Sequence, residues 1–181
     1  MTGKGHTQTG VVFGFLTLVI LYPVVEHYYA LLGYVCCVVF SSAPDWLEIQ
    51  RKIKLSDGGV AVSTLIPHRT VTHVISLWFF VFLTGFLSLY PNESPSWLEW
   101  LPKVGELYAS IFVGVGMGGL IHLLWDIPNK KPVPMVTLWD KVGLNLWKSG
   151  RFEPQITIAT IFLTTALIYL FLAKVLKLSV F

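Results

Sequence analysis

The stretch ELYASIFVGVGMGGLIHLLWDI, residues 106–127, contains the two features that decide how this chain folds. It is long enough to cross the roughly 30 Å hydrocarbon core of a bilayer, which takes about 20 apolar residues in a helix. Near its end stand His122 and Asp126, and residues four apart share one face of a helix. The sequence therefore predicts a membrane-spanning helix that carries two potential metal ligands close to one end.

The whole chain has the composition of a membrane protein. Of its 181 residues, 54% are hydrophobic and only 13% are charged. The charged residues collect between long apolar segments, a pattern typical of a multi-span protein rather than an ordinary globular domain. The basic residues form no stripe with interleaved aromatic residues, so no nucleic-acid partner is expected.

Two further segments, 72–90 and 155–173, also reach spanning length. Residues 10–43 are too long for one span and are interrupted at Pro23, which indicates two short helices joined near LYPVVEHYY. The predicted fold class is all-α, a multi-pass transmembrane helical bundle of about four to five membrane segments, with the first two forming a short hairpin. Residues 1–181 are predicted to form a single membrane-embedded domain.

The loops predict the orientation of this bundle. Most lysines and arginines lie in the loops 44–71 and 128–154, and basic loops favour the cytoplasmic side. The loop 91–105 would then lie on the opposite side. On this topology one set of ionisable residues falls entirely at the cytoplasmic side: His6, Asp45, His68, His73, His122, Asp126 and Glu153.

Imidazoles and carboxylates without thiolates are typical ligands of a catalytic metal centre. Catalytic zinc uses about three protein ligands and keeps one position for water, so this set could serve one or two ions. His68 and His73 can both point inward only if Pro67 and His68 belong to a loop or first turn. Zn²⁺ is the first expectation, and Mn²⁺ or Fe²⁺ fits the same ligands. The alternative is that Asp45, Arg69 and Asp126 are ordinary interfacial charges.

Several motifs occur together in an order that resembles the YdjM family, described as LexA-regulated, membrane-bound, metal-dependent hydrolases. The motifs are GHTQTG, APD, HRTVTH, GGLIHLLWD, VPMVTLWD and SGRFE. The family pattern HRGxTH matches His68, Arg69, Thr72 and His73; the family PD matches Pro44 and Asp45; and the family HxxxD matches His122 and Asp126. The resemblance implies a multi-pass protein of the bacterial inner membrane.

Three positions depart from the family pattern. The family continues PDxD, whereas Trp46 and Leu47 follow Asp45 here, so the second acid is missing and Glu48 is an uncertain substitute. This departure puts a second metal ion in doubt. Thr70 replaces the glycine of the HRG motif, and Asp140 stands in LWD where the family tends to have LWP. The layout of ligands is also similar to that of zinc-dependent phospholipase C, an analogy that suggests phosphoester hydrolysis.

The functional hypothesis is a metal-dependent hydrolase that cleaves a phosphoester or lipid-linked substrate at the cytoplasmic membrane face, with membrane lipids as its partners. Glu153 is a further ligand or a general base, and Arg69 could hold a phosphate group or pair with Asp45 or Asp126. Two other classes stay open. An ion- or proton-coupled carrier would use the same residues as an ion path, and a non-catalytic scaffold would use a metal only to tie helix ends together.

Overall fold

The structure is a computed structural model, and it describes residues 2–48, 50–54, 59–64, 66, 69–91, 95–148 and 150–175. Its helices are α1 Gly3–Leu21, α2 His27–Phe40, α3 Ala43–Trp46, α4 Ile75–Leu89, α5 Glu106–Asp126 and α6 Glu153–Val175. Two antiparallel strand pairs lie in the loops, β1 Gln50–Lys54 with β2 Val60–Thr64 and β3 Val133–Pro134 with β4 Lys141–Val142. The described chain is mostly helical, as predicted, but the all-α prediction missed both strand pairs.

The first apolar region forms a helical hairpin, which confirms the two helices predicted there. The turn between them contains Pro23, and proline lacks the backbone N–H that helix continuation needs. The start of α1 differs from the prediction. The helix already begins at Gly3, because the Thr2 hydroxyl caps it by accepting a hydrogen bond from the backbone N–H of Gly5 at 3.4 Å. His6, predicted to precede the helix, therefore lies inside it.

The central helix is α5, which packs against α1, α2 and α4. Its glycines allow this close packing. A Cβ atom at Gly118 would lie 2.6 Å from the carbonyl oxygen of Cys37 in α2, and one at Gly116 would collide with the backbone of Phe82 in α4. Small residues let membrane helices approach each other closely, and these glycines have that packing role here.

Among the described residues, two helices are long and apolar enough to cross a membrane, Glu106–Asp126 and Glu153–Ala173. The helices α2 and α4 are shorter but also apolar. Large hydrophobic side chains stay exposed on the outside of the bundle, among them Phe15, Phe79 and Phe162. Exposed apolar surface of this kind is suited to lipid contact. These features fit membrane association, whereas the predicted total of four to five spans and the single domain stay predictions.

Candidate metal centre

Five of the predicted site residues come together at one end of the bundle. They reach this point from separate elements, with His6 on α1, Asp45 on α3, His73 in the turn before α4, and His122 and Asp126 near the end of α5. The turn Val71–His73 is tied to α4 by the indole N–H of Trp78, which donates to the Thr72 carbonyl at 2.8 Å. Helix ends and the turns beside them therefore build the cluster.

The distances inside the cluster suit a shared cation. The Nε2 atoms of His73 and His122 lie 3.5 and 3.6 Å from Oδ1 of Asp45, and 3.9 and 3.7 Å from Oδ2 of Asp126. The Nε2 atom of His6 lies 3.5 Å from Oδ1 of Asp126. These values are longer than usual N–H···O hydrogen bonds of about 2.7–3.2 Å. They are close to the separation of about 3.3–3.4 Å expected between ligands placed 2.0–2.1 Å from a tetrahedral ion.

The orientation of His122 gives the strongest indication of a metal ligand. Its Nδ1 lies 2.8 Å from the carbonyl oxygen of Ser41, and a carbonyl can only accept a hydrogen bond. The ring proton therefore sits on Nδ1, and in the neutral imidazole the lone pair is on Nε2. That buried atom has no hydrogen-bond partner among the described residues, and it faces the carboxylates of Asp45 and Asp126. A lone pair directed at two carboxylates is favourable when a cation lies between them.

The ring of His6 stacks on the ring of His122. Their centroids are 3.6 Å apart and the planes differ by 16°. Both rings are buried, and two buried imidazolium ions at this distance would repel each other. The stacking therefore favours at least one neutral ring, the form of histidine that binds metals.

Glu48 belongs to the cluster, although the sequence indicated it only as an uncertain substitute. Its Oε1 lies 3.3 Å from Nδ1 of His73 and accepts a hydrogen bond from the backbone N–H of Arg69 at 3.2 Å. A carboxylate that holds the second ring nitrogen of a histidine orients the first nitrogen toward a metal. Glu48 also forms a possible ligand group with Asp45 and His73. The helical spacing was the missed signal, because residues three apart share a face whereas residues two apart do not.

Asp126 is held by two further side chains. Arg69 donates from one Nη atom to Oδ2 at 3.1 Å, and Asn129 donates from Nδ2 to Oδ1 at 2.7 Å. Of the two pairings considered for Arg69, the structure has the one with Asp126. Arg69 adopts a left-handed backbone conformation with φ of 60°, which is unfavourable for a side chain that has a Cβ. Sequence reasoning did not include Asn129, which lies three residues after Asp126, beyond the end of α5.

The opening of the cluster is at Asp45. Its side chain is 36% exposed, whereas the side chain of Asp126 is 4% exposed. Burial alone would raise the pKa of Asp45, but the neighbouring imidazoles of His73, His122 and His6 outweigh it and lower the pKa below the ordinary value. Asp45 is therefore an ionised carboxylate at neutral pH at the entrance of the cluster.

Two predicted site residues have other outcomes. His68 lies outside the described residues. Glu153 is not in the cluster, because it is the first residue of α6 and its carboxylate accepts a hydrogen bond from the backbone N–H of Thr2 at 2.6 Å. It belongs to none of the possible ligand groups formed by the described residues. The structure thus shows Glu153 joining the start of α6 to the residue before α1, and its role as a ligand or general base stays a prediction.

The comparison with protein families agrees with these motifs. A family model described as YdjM inner membrane protein matches residues 1–178. The chain belongs to the YdjM inner membrane protein family. The resemblance expected from the motifs is thereby confirmed. No curated protein and no solved structure gives a significant match.

Within the described part of this YdjM-family chain, three overlapping groups could each hold a metal ion. They are His6 with Asp45 and His122, His73 with His122 and Asp126, and Asp45 with Glu48 and His73. Each contains nitrogen and carboxylate oxygen donors, which suit Zn²⁺ as well as Mn²⁺ and Fe²⁺. The groups share Asp45, His73 and His122, so they overlap in one cluster of six residues that could hold a metal ion.

Proposed function

We propose that this chain is a multi-pass metal-dependent hydrolase of the bacterial inner membrane that cleaves a phosphoester or lipid-linked substrate at the cytoplasmic face. The observation that carries the proposal is the buried Nε2 of His122, whose lone pair is aimed between the carboxylates of Asp45 and Asp126. The family match and the two apolar helices support the membrane location. The four to five spans belong to this proposal.

The proposed ligands are His73, His122, Asp45 and Asp126, with His6 completing the set. A divalent ion bound there, Zn²⁺ or alternatively Mn²⁺ or Fe²⁺, would activate a water for nucleophilic attack and offset negative charge that develops on the substrate. Asp45 is the most accessible of these ligands, so the reacting group of the substrate would approach from its side.

Arg69 is the proposed anchor for a phosphate group. It uses one Nη atom for Asp126, while its Nε and other Nη atom are buried and have no hydrogen-bond partner among the described residues. The guanidinium is permanently charged, and these two donors remain available to the oxygens of an anionic group. A buried positive charge with unused donors supports a substrate with an anionic phosphoester over one with a neutral ester.

Metal content is the first test of this proposal. Detergent-purified wild type should contain near-stoichiometric metal by elemental analysis, and His73→Ala and His122→Ala should both lose it. His27→Ala is the matched control, because His27 is exposed at the start of α2 and contacts the ring of Tyr22 instead of the cluster. A folded wild type that stays empty after incubation with Zn²⁺, Mn²⁺ and Fe²⁺ would refute the hydrolase mechanism and favour the carrier.

Turnover is the second test. Metal-loaded protein should hydrolyse at least one member of a panel of phospholipids and soluble phosphoesters. Arg69→Gln should lower this activity for phosphoesters. Asp45→Asn should abolish turnover if Asp45 is a ligand at the entrance. Protein that binds metal stoichiometrically but hydrolyses nothing in the panel would favour the non-catalytic scaffold.

A further inference from the structure

The loop 136–146, between α5 and α6, exposes an unusual amount of apolar surface. Every one of its residues is exposed. Trp139 is 87% exposed, and Val136, Leu144 and Leu146 are each more than half exposed. Large apolar side chains grouped on a surface mark a contact with another protein or with a membrane.

The tip of this loop is closed by hydrogen bonds. The carboxylate of Asp140 accepts hydrogen bonds from the backbone N–H groups of Val136 at 2.9 Å and Thr137 at 2.6 Å, and from the Thr137 hydroxyl at 2.8 Å. The backbone N–H of Met135 donates to the Asp140 carbonyl at 2.9 Å. These bonds close a tight turn that presents Trp139 outward. Asp140, which had no clear role in the sequence, thus determines the shape of the turn.

Two backbone contacts fix the depth of the loop relative to the helices. The Ser76 N–H in the first turn of α4 donates to the Met135 carbonyl at 2.9 Å, and the Leu144 N–H donates to the carbonyl of Ile127, just after α5, at 2.9 Å. An apolar cavity of about 240 Å³ lies next to these contacts and is lined in part by Ile75, Leu124 and Ile127. The loop therefore sits at the level where α4 begins and α5 ends, beside apolar helix surface.

The charges around the loop have one sign. Lysines stand at 130, 131, 141 and 148, all exposed, and the one acidic residue between 127 and 148 is Asp140. Both carboxylate oxygens of Asp140 are used inside the turn. A basic segment with an exposed tryptophan at a helix end has the composition of a membrane interface, where tryptophan is enriched and lysines attract anionic lipids.

We propose that the loop 136–146 docks on the anionic lipid surface of the leaflet at the metal-cluster end of the protein. Trp139 inserts at the level of the lipid head groups, and the four lysines bind anionic phosphates beside it. This inference does not depend on hydrolase activity, because the contact requires only lipid and the hydrogen-bonded turn. It places a lipid-binding surface beside the end of α5 that carries Asp126.

The test is quenching of tryptophan fluorescence in reconstituted vesicles. The chain has seven tryptophans, so the signal of Trp139 is obtained as the difference between wild type and Trp139→Phe. In vesicles of phosphatidylcholine with phosphatidylglycerol, brominated lipids should quench this difference signal strongly, and aqueous acrylamide should quench it weakly. In the second mixture, phosphatidylcholine without phosphatidylglycerol, brominated lipids should quench it less and acrylamide more. Trp97→Phe is the matched control, because Trp97 is also exposed but lies in the loop between α4 and α5, at the far end of both helices.

The lysines are tested by changing all four to glutamine. Each lysine near an anionic surface contributes about 1 kcal/mol, or roughly fivefold in the docked population. The quadruple variant should therefore lose the effect of phosphatidylglycerol on Trp139 and keep the Trp97 signal unchanged. Strong acrylamide quenching of Trp139 in both lipid mixtures would overturn the proposal. Weak quenching of Trp139 by both brominated lipids and acrylamide, becoming weaker as the protein-to-lipid ratio rises, would also overturn the proposal. That result would indicate that a second copy of the chain covers the loop.

Discussion

Replacing Glu48 with glutamine separates two roles that the geometry allows for this residue. Glu48 lies 3.3 Å from Nδ1 of His73 and its side chain is 5% exposed. Glutamine has nearly the same shape and keeps an acceptor for the Arg69 N–H, so the change removes the charge and preserves the packing. A hydrogen bond to a charged group contributes about 1.5–3 kcal/mol, against about 0.5–1.5 kcal/mol for a neutral one.

The expected loss is therefore about 1–2 kcal/mol of metal-binding free energy, or roughly 5- to 30-fold in affinity. Changes of outer hydrogen-bond partners in metal sites cost about 10- to 100-fold, which overlaps this range. If Glu48 only orients His73, Glu48→Gln should bind as many ions as wild type with this weaker affinity. If Glu48 is itself a ligand of a second ion with Asp45 and His73, the variant should lose one ion per chain.

The assay is calorimetric titration with Zn²⁺ against a competing chelator, combined with elemental analysis of the same detergent-purified samples. Glu153→Gln is the matched control and should bind metal as wild type does, because Glu153 binds the Thr2 backbone and stands outside the cluster. Wild-type affinity together with wild-type stoichiometry in Glu48→Gln would refute both roles.

Three further changes test packing, charge pairing and pH. Gly118→Ala should cost about 1–3 kcal/mol of stability by thermal unfolding in detergent, since its methyl group meets backbone of α2, whereas Gly3→Ala, with nothing within 4 Å, should not. Asp126→Asn should cost about 3–5 kcal/mol by the same measurement, because buried Arg69 loses its charged partner; an unchanged unfolding temperature would contradict this. The lowered pKa of Asp45 stabilises the folded state above the unfolded value of about 3.9, so the destabilisation by Asp45→Asn should shrink as the pH falls below that value.

The helices were predictable wherever the length of an apolar segment is enough to determine the structure. Segments around α4, α5 and α6 are long runs without charges, and a helix is the structure that satisfies the backbone of such a run in a bilayer. The start of α1 was not predictable from hydropathy, because GKGHTQTG is polar. Its helical structure depends on the Thr2 cap and on packing against α2 and α5, neither of which a hydropathy pattern contains.

The end of the bundle at which the site residues lie was predictable from the sequence, but the directions of their side chains were not. Topology alone brought His6, Asp45, His73 and the pair on α5 to one side, because each stands near a helix end. The topology did not predict which way each side chain points at that end of the bundle. Glu153 reached the same end of the bundle but turned toward the Thr2 backbone, and the direction chosen by the first residue of a helix depends on tertiary contacts.

The free carbonyl groups at helix ends also help to orient the side chains of the cluster. The last carbonyls of a helix have no partner within it, and the Ser41 carbonyl at the end of α2 is used by Nδ1 of His122. The tautomer of His122 therefore depends on how closely α2 packs against α5. Gly118 sets that approach one turn before His122, through contacts with the backbone of Cys37 and Ser41. A larger residue at Gly118 should thus change the orientation of His122 as well as the stability of the bundle, so that metal affinity and unfolding temperature fall together in Gly118→Ala.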